Sequence, residues 1–135
     1  MLEALGWTGK TDFGGITLSD LAKEIQDKLK IRAIRVVGDP QLKVHTVGAN
    51  WGYSSSPKAF ARPDRDVLII GEAREWELVE YAADAVTAGE KKGLIVLGHV
   101  VSEQAGMLHC ANWLKTFVTE VPVEFIPTQE PFWRP

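Results

Sequence analysis

The chain has 135 residues, enough for one domain with a real core and too few for two independent ones. Lysine and arginine total 15 against 18 acids, and the resulting net charge of -3 is interspersed along the chain, which disfavours a basic nucleic-acid surface. One cysteine excludes an internal disulfide, no signal-peptide pattern opens the chain, and the longest apolar runs fall far short of the roughly 20 residues that span a bilayer; the expectation is a cytoplasmic protein with neither a membrane nor a nucleic-acid partner.

Residues 1–16 are rich in glycine and polar side chains without a helical or strand period, and read as an arm or linker ahead of an α/β domain over 17–135. Leu18, Leu21, Ala22, Ile25 and Leu29 then recur at helical spacing, with Thr17 placed as N-cap and Asp20 in the first turn. Residues 33–37 are β-prone, Gly38-Asp39-Pro40 signals a turn, and 44–49 reads as a second strand, so the spacing predicts a hairpin. Residues 48–57 read as a loop, with Ser56 capping a short helix that starts at Pro57. The apolar run 67–70 predicts a strand covered on both faces, followed after Gly71-Glu72 by a helix over 73–88 with Trp76, Val79, Tyr81, Ala83 and Val86 inward and Gly89 ending it. A second buried strand is expected at 94–97, a helix at 102–117, a last strand at 121–126 and an irregular tail at 127–135. Strands alternating with helices imply an α/β fold, a single-domain mixed sheet of about five strands flanked by about three helices.

The segment Gly98-His99-Val100-Val101-Ser102-Glu103 is the strongest chemical signal. Functional groups in α/β sheets gather where strands end and helices begin, and His99 and Glu103, four residues apart, can converge on one point. Imidazole nitrogen with carboxylate oxygen suits zinc, iron or manganese. The alternative is a histidine bonded to backbone and a glutamate favoured by the helix dipole. Glu72 ends another strand, either as a proton carrier or partner to a ligand, or as an acid stabilising a helix N-terminus. Trp51, Tyr53 and Ser54 beside a third strand end are candidates for gripping a substrate, against the alternative that the aromatics close the core.

Other local matches carry less. Gly9-Lys10-Thr11 resembles the end of a P-loop, but Ala4 stands at the first glycine position and no strand precedes it. Asp12-Phe13-Gly14 lacks the other kinase motifs. Cys110 is expected to be a buried, inert thiol, and His45 to be structural.

The order Arg35-Val36-Val37-Gly38-Asp39, Gly71-Glu72, Gly98-His99-Val100-Val101-Ser102-Glu103 resembles the NGG-interacting-factor-three family, the Nif-three-like dinuclear metal centre hexameric proteins, which also carry the label GTP cyclohydrolase I type 2. The resemblance covers roughly residues 17–133 and only the C-terminal half of that fold. It implies two similar α/β halves around a pair of divalent metal ions, a toroidal hexamer, and a hydrolase acting on a small molecule of the nucleotide or phosphoester class. His99 and Glu103 match the C-terminal metal ligands. The family's other ligands, a histidine pair and an aspartate, lie in an N-terminal half that has no match here. Two departures touch the site: the family's glycine-rich loop is replaced by Gly48-Ala49-Asn50-Trp51-Gly52-Tyr53, and histidines following the Gly-Glu pair by Arg74, Glu75 and Trp76. With two ligands the chain alone is expected to bind metal weakly. Completion is expected from a homo-oligomer, from a separate N-terminal half, or from the rest of a longer protein of which this is a piece. The alternative function is a non-catalytic oligomeric module whose metal is structural or absent, with the edge of strand 121–126 and the aromatic tail Pro131-Phe132-Trp133 meeting a neighbour.

Overall fold

The computed structural model describes residues 2–129. Its elements, in chain order, are α1 (Leu2–Leu5), β1 (Ile16–Thr17), α2 (Leu18–Leu29), β2 (Arg35–Val37), β3 (Lys43–Val44), β4 (Val47–Tyr53), α3 (Pro57–Phe60), β5 (Val67–Glu72), a π-helical turn (Glu75–Val79) running into α4 (Glu80–Thr87), β6 (Gly93–Val96) and α5 (His99–Leu114). The fold is mixed α/β, as expected, with a four-stranded sheet in the order β2-β6-β5-β4 and a two-stranded sheet of β1 and β3.

The two apolar runs make the centre of the larger sheet. β5 and β6 are parallel neighbours, pairing Leu68 with Leu94 and Ile70 with Val96. Because side chains alternate across a strand, each run serves two cores. Val67, Ile69 and Ile95 join Leu18, Leu21 and Ile25 of α2 on one face. Leu68, Ile70, Leu94 and Val96 join Phe60, Leu78 and Ala82 on the other. Helix α2 forms as expected: Thr17 Oγ1 accepts from the Asp20 N–H at 3.1 Å, and Leu18, Leu21, Ala22 and Ile25 are buried.

The expected hairpin does not form. β2 pairs antiparallel with β6, while β4 pairs parallel with β5 on the opposite side of the sheet. The chain leaves β2 through Gly38, where an added methyl would lie 2.8 Å from the Lys92 carbonyl oxygen, so it passes close beside the start of β6 instead of turning back on itself. The expected loop 48–57 is for the most part strand, since β4 runs to Tyr53. Its small and polar residues lack strand propensity, and pairing with β5 outweighs that local preference.

Four further expectations are corrected. Residues 2–16 are not a free arm: α1 and the turn after it bury Leu5 and Trp7, and Trp7 Nε1 donates to Glu24 on α2 at 3.2 Å. The helix expected at 73–88 starts as a π turn, and the extra residue per turn rotates Trp76 outward to 72% exposure and leaves Tyr81 exposed, with Leu78 and Ala82 facing inward. α5 starts at His99, three residues early, because Gly98 at φ +99° turns the chain straight out of the sheet. Residues 121–126 form no strand; Pro122 removes an amide that a ladder would use. Residues 127–129 are irregular as expected, and the tail Pro131-Phe132-Trp133 lies outside the described residues. Among the described residues no helix is long and apolar enough to cross a membrane.

Candidate metal centre

The parallel strands β4, β5 and β6 all end at one edge of the sheet, and the first turn of α5 rises from the same edge. The junction works through small residues. Gly71 sits where a side chain would strike the Ser102 hydroxyl and the Gly52 carbonyl. β4 carries a register shift between Asn50 and Tyr53, and Gly52 within it adopts φ +62°. A methyl group on Gly52 would run into the Glu103 carboxylate and would lie 3.5 Å from His99 Nε2. Glycine therefore leaves a recess just where imidazole and carboxylate meet.

Two of the residues singled out from sequence, His99 and Glu103, meet at that recess, with a third, Glu72, on the far side of the imidazole. His99 Nδ1 lies 3.0 Å from Glu72 Oε2 across the end of β5, and His99 Nε2 lies 3.4 Å from Glu103 Oε2 one helical turn on. All three side chains are roughly half exposed. The two carboxylates engage opposite ring nitrogens, so they do not converge with the imidazole on a single ion. In keeping with this, no group of three or more histidine, cysteine or acidic side chains is gathered for a metal among the described residues. The donor set fits two ligands of a divalent site, His99 Nε2 and Glu103, with Glu72 behind the histidine as the carboxylate that orients a metal-binding imidazole.

The substrate candidates divide. Tyr53 is exposed and pairs in register with Glu72, and the Arg74 guanidinium stands 5.8 Å from its ring centre. Ser54 donates its amide to the Glu72 carbonyl oxygen at 2.8 Å, and its hydroxyl accepts from Asn50 Nδ2 at 3.1 Å. Trp51 is half buried against the α2 core; its free edge helps to line a shallow hollow with Glu103 and Met107. Cys110, expected to be buried, is exposed. It opens onto a groove of about 450 Å³ between α5 and residues 123–128, whose near end is His99 and Glu103. His45, outside any strand, lies 3.5 Å from Asp12 and far in sequence from the α5 pair.

Sequence reasoning missed Ser102, Gly52 and Gly71. Ser102 is the one polar residue among the buried ones described, 2% exposed. Its hydroxyl accepts from the Gly52 N–H at 2.9 Å and donates to the His99 carbonyl oxygen at 2.7 Å. A serine three residues after a strand-ending Gly-His, and lone glycines at two neighbouring strand ends, were visible signals; their meeting was not.

Comparison with known proteins identifies the fold. The family model for Duf34/NIF3 (NGG1p interacting factor 3) matches residues 3–131. The fold is similar to a crystal structure of Staphylococcus aureus protein SA1388, at 25% identity and a TM-score of 0.65, over 88% of this chain and 38% of that one. It is also similar to the Bacillus cereus protein related to NIF3, at 21% identity and a TM-score of 0.63, over 87% of this chain and 32% of that one. The chain thus spans well under half the length of these solved relatives. No curated protein matches. Matched along nearly its whole length, the chain belongs to the Duf34/NIF3 (NGG1p interacting factor 3) family.

Proposed function

We propose that this chain supplies half of a divalent-metal site, with zinc, iron or manganese as the ion, and that the complete assembly is a cytoplasmic metal-dependent hydrolase of a small nucleotide or phosphoester. The observation that carries this reading is the convergence of His99 Nε2 and Glu103 over the Gly52 recess, with Glu72 on the other imidazole nitrogen. Family membership and the expected motif support it.

In this reading Nδ1–H of His99 donates to Glu72, which fixes the tautomer and leaves Nε2 as the ligand nitrogen. Held by His99 Nε2 and Glu103, a divalent ion would supply a water of lowered pKa and would polarise the substrate. Glu72 lies on the far side of the ring from Nε2, so in this reading it orients the imidazole rather than meeting the reacting group. Tyr53, backed by Arg74, and Ser54 flank the substrate on the β4 side, with the open edge of Trp51 near Glu103. Catalytic zinc sites use about three protein ligands and structural ones about four, so the remaining ligands come from another copy in a ring such as a hexamer, or from an N-terminal half.

A second reading is a non-catalytic assembly module. It is favoured by the apolar surface of α5 and the residues C-terminal to it, where Met107, Leu108, Trp113, Phe117 and Val121 are all exposed. Metal content and solution mass, measured together on the parent, His99→Ala and Glu103→Ala, separate the two. Metal that depends on both side chains in an oligomer is expected; an oligomer that holds no metal and hydrolyses none of a broad nucleotide and phosphoester panel supports the module instead.

A further inference from the structure

Ser102 is a buried hydroxyl in an otherwise apolar interior, and burying an unpaired hydroxyl costs on the order of 1–3 kcal/mol. Both of its hydrogen-bonding roles are filled, and both partners belong to the recess. It takes the amide of Gly52, at the register shift of β4, and gives its proton to the carbonyl of His99, in the first turn of α5. The Gly71 position, where any side chain would collide with Ser102 and with the Gly52 carbonyl, lets β5 close against the same hydroxyl. The N-cap Gly98 provides no side-chain cap for α5; its first turn is closed by the Ser102 N–H donating to the Gly98 carbonyl oxygen at 3.1 Å, and the Ser102 hydroxyl on the His99 carbonyl adds to it.

We propose that Ser102 is a positioning residue: its hydroxyl clamps the Gly52 shift to the first turn of α5 and so sets where His99 Nε2 and the Glu103 carboxylate stand. It touches no ligand itself. Without it, the Gly52 amide is left buried without its partner, β4 and α5 relax apart, and the imidazole and carboxylate lose their common focus. The recess and the clamp share one residue, Gly52, so a change at either end reaches the same pair. The zinc part of this claim rests on the metal reading above; the part about the His99 ring does not.

The test uses zinc alone as the probe, on the full chain, for the parent, Ser102→Ala, Gly52→Ala and Thr17→Ala. Thr17→Ala removes the cap of α2, far from the recess, and controls for a general loss of stability. Zinc affinity is measured by competition with a chelating dye, and the nitrogen chemical shifts of the His99 ring report its tautomer without metal. Ser102→Ala is expected to weaken zinc binding by about 10-fold or more, the scale of losing a residue that orients a ligand, and to move the His99 ring nitrogen shifts away from their parental values. Gly52→Ala should do the same by the opposite route, pushing Glu103 away with Ser102 intact, and it stands in if Ser102→Ala does not fold. Thr17→Ala should change neither reading. Parental affinity and ring shifts in Ser102→Ala, or equal losses in Thr17→Ala, would overturn the proposal. A parent that binds no zinc defeats the metal reading, and the ring shifts then decide the clamp by themselves.

Discussion

Helices α2 and α5 cover the same face of the sheet and are built on different rules. α2 has a regular apolar stripe, a side-chain N-cap, and a last turn closed by Lys30 at φ 53°; of its apolar residues Leu18, Leu21, Ala22 and Ile25 are buried and Leu29 is partly buried against the same core. α5 has no side-chain cap and buries only Ser102 and Ala111, while Val100, Met107, Leu108 and Trp113 stand exposed. A helix whose apolar residues are used up by its own domain is there for stability. A helix that carries the candidate ligands on its first two turns and apolar side chains beyond what its domain covers is placed to meet something else.

That contrast can be broken by mutation, beginning on α2. Leu21→Ala empties a fully buried site and should cost about 2–5 kcal/mol by denaturant unfolding; a loss under about 1 kcal/mol would show that α2 is not the structural helix. Thr17→Ala should cost about 1 kcal/mol through the lost cap. By contrast, Leu108→Lys on α5 should change stability by no more than about 0.5 kcal/mol, and by sedimentation it should weaken self-association if that face meets another copy.

A pH titration sharpens the contrast at the far edge of the sheet. Partial burial works to raise the Asp66 pKa, but amide donors from Thr46 and His45 outweigh it and hold the carboxyl below its ordinary value. The folded pKa being the lower one, the stabilisation is complete above the unfolded value near 4 and fades as pH falls through the folded value. Asp66→Asn should therefore be less stable than the parent at neutral pH, and the gap should narrow only below about pH 4. A gap that persists unchanged at pH 2 would show that the contribution does not depend on the carboxylate charge.

Legibility followed the range of the interactions. α2, the two central strands and the Ser56 cap of α3 were readable, because period, apolar runs and caps are properties of neighbouring residues. The candidate ligand pair was readable for the same reason, since one helical turn brings His99 and Glu103 together. Glu72 was readable as a strand-end acid, though its partner, His99 Nδ1, was not. The partner of β4 was unreadable: residues 44–49 read as a strand, but its pairing with β5 and its extension to Tyr53 come only from the contact with β5. The outward turn of Trp76 was unreadable too, because a π turn shifts the helical period without a local mark.

The sequence by itself determined the α/β class, the buried central strands and a histidine and glutamate poised at a strand end, since each follows from spacings of two to four residues in a chain whose backbone has few allowed conformations. Only the tertiary structure decided that β2 lies beside β6, that the N-terminal residues bury Leu5 and Trp7, and that Ser102 joins Gly52 to His99 across 50 positions of chain. Those contacts depend on which distant surfaces close most completely over the core while leaving no buried polar group unpaired, and no local pattern encodes that.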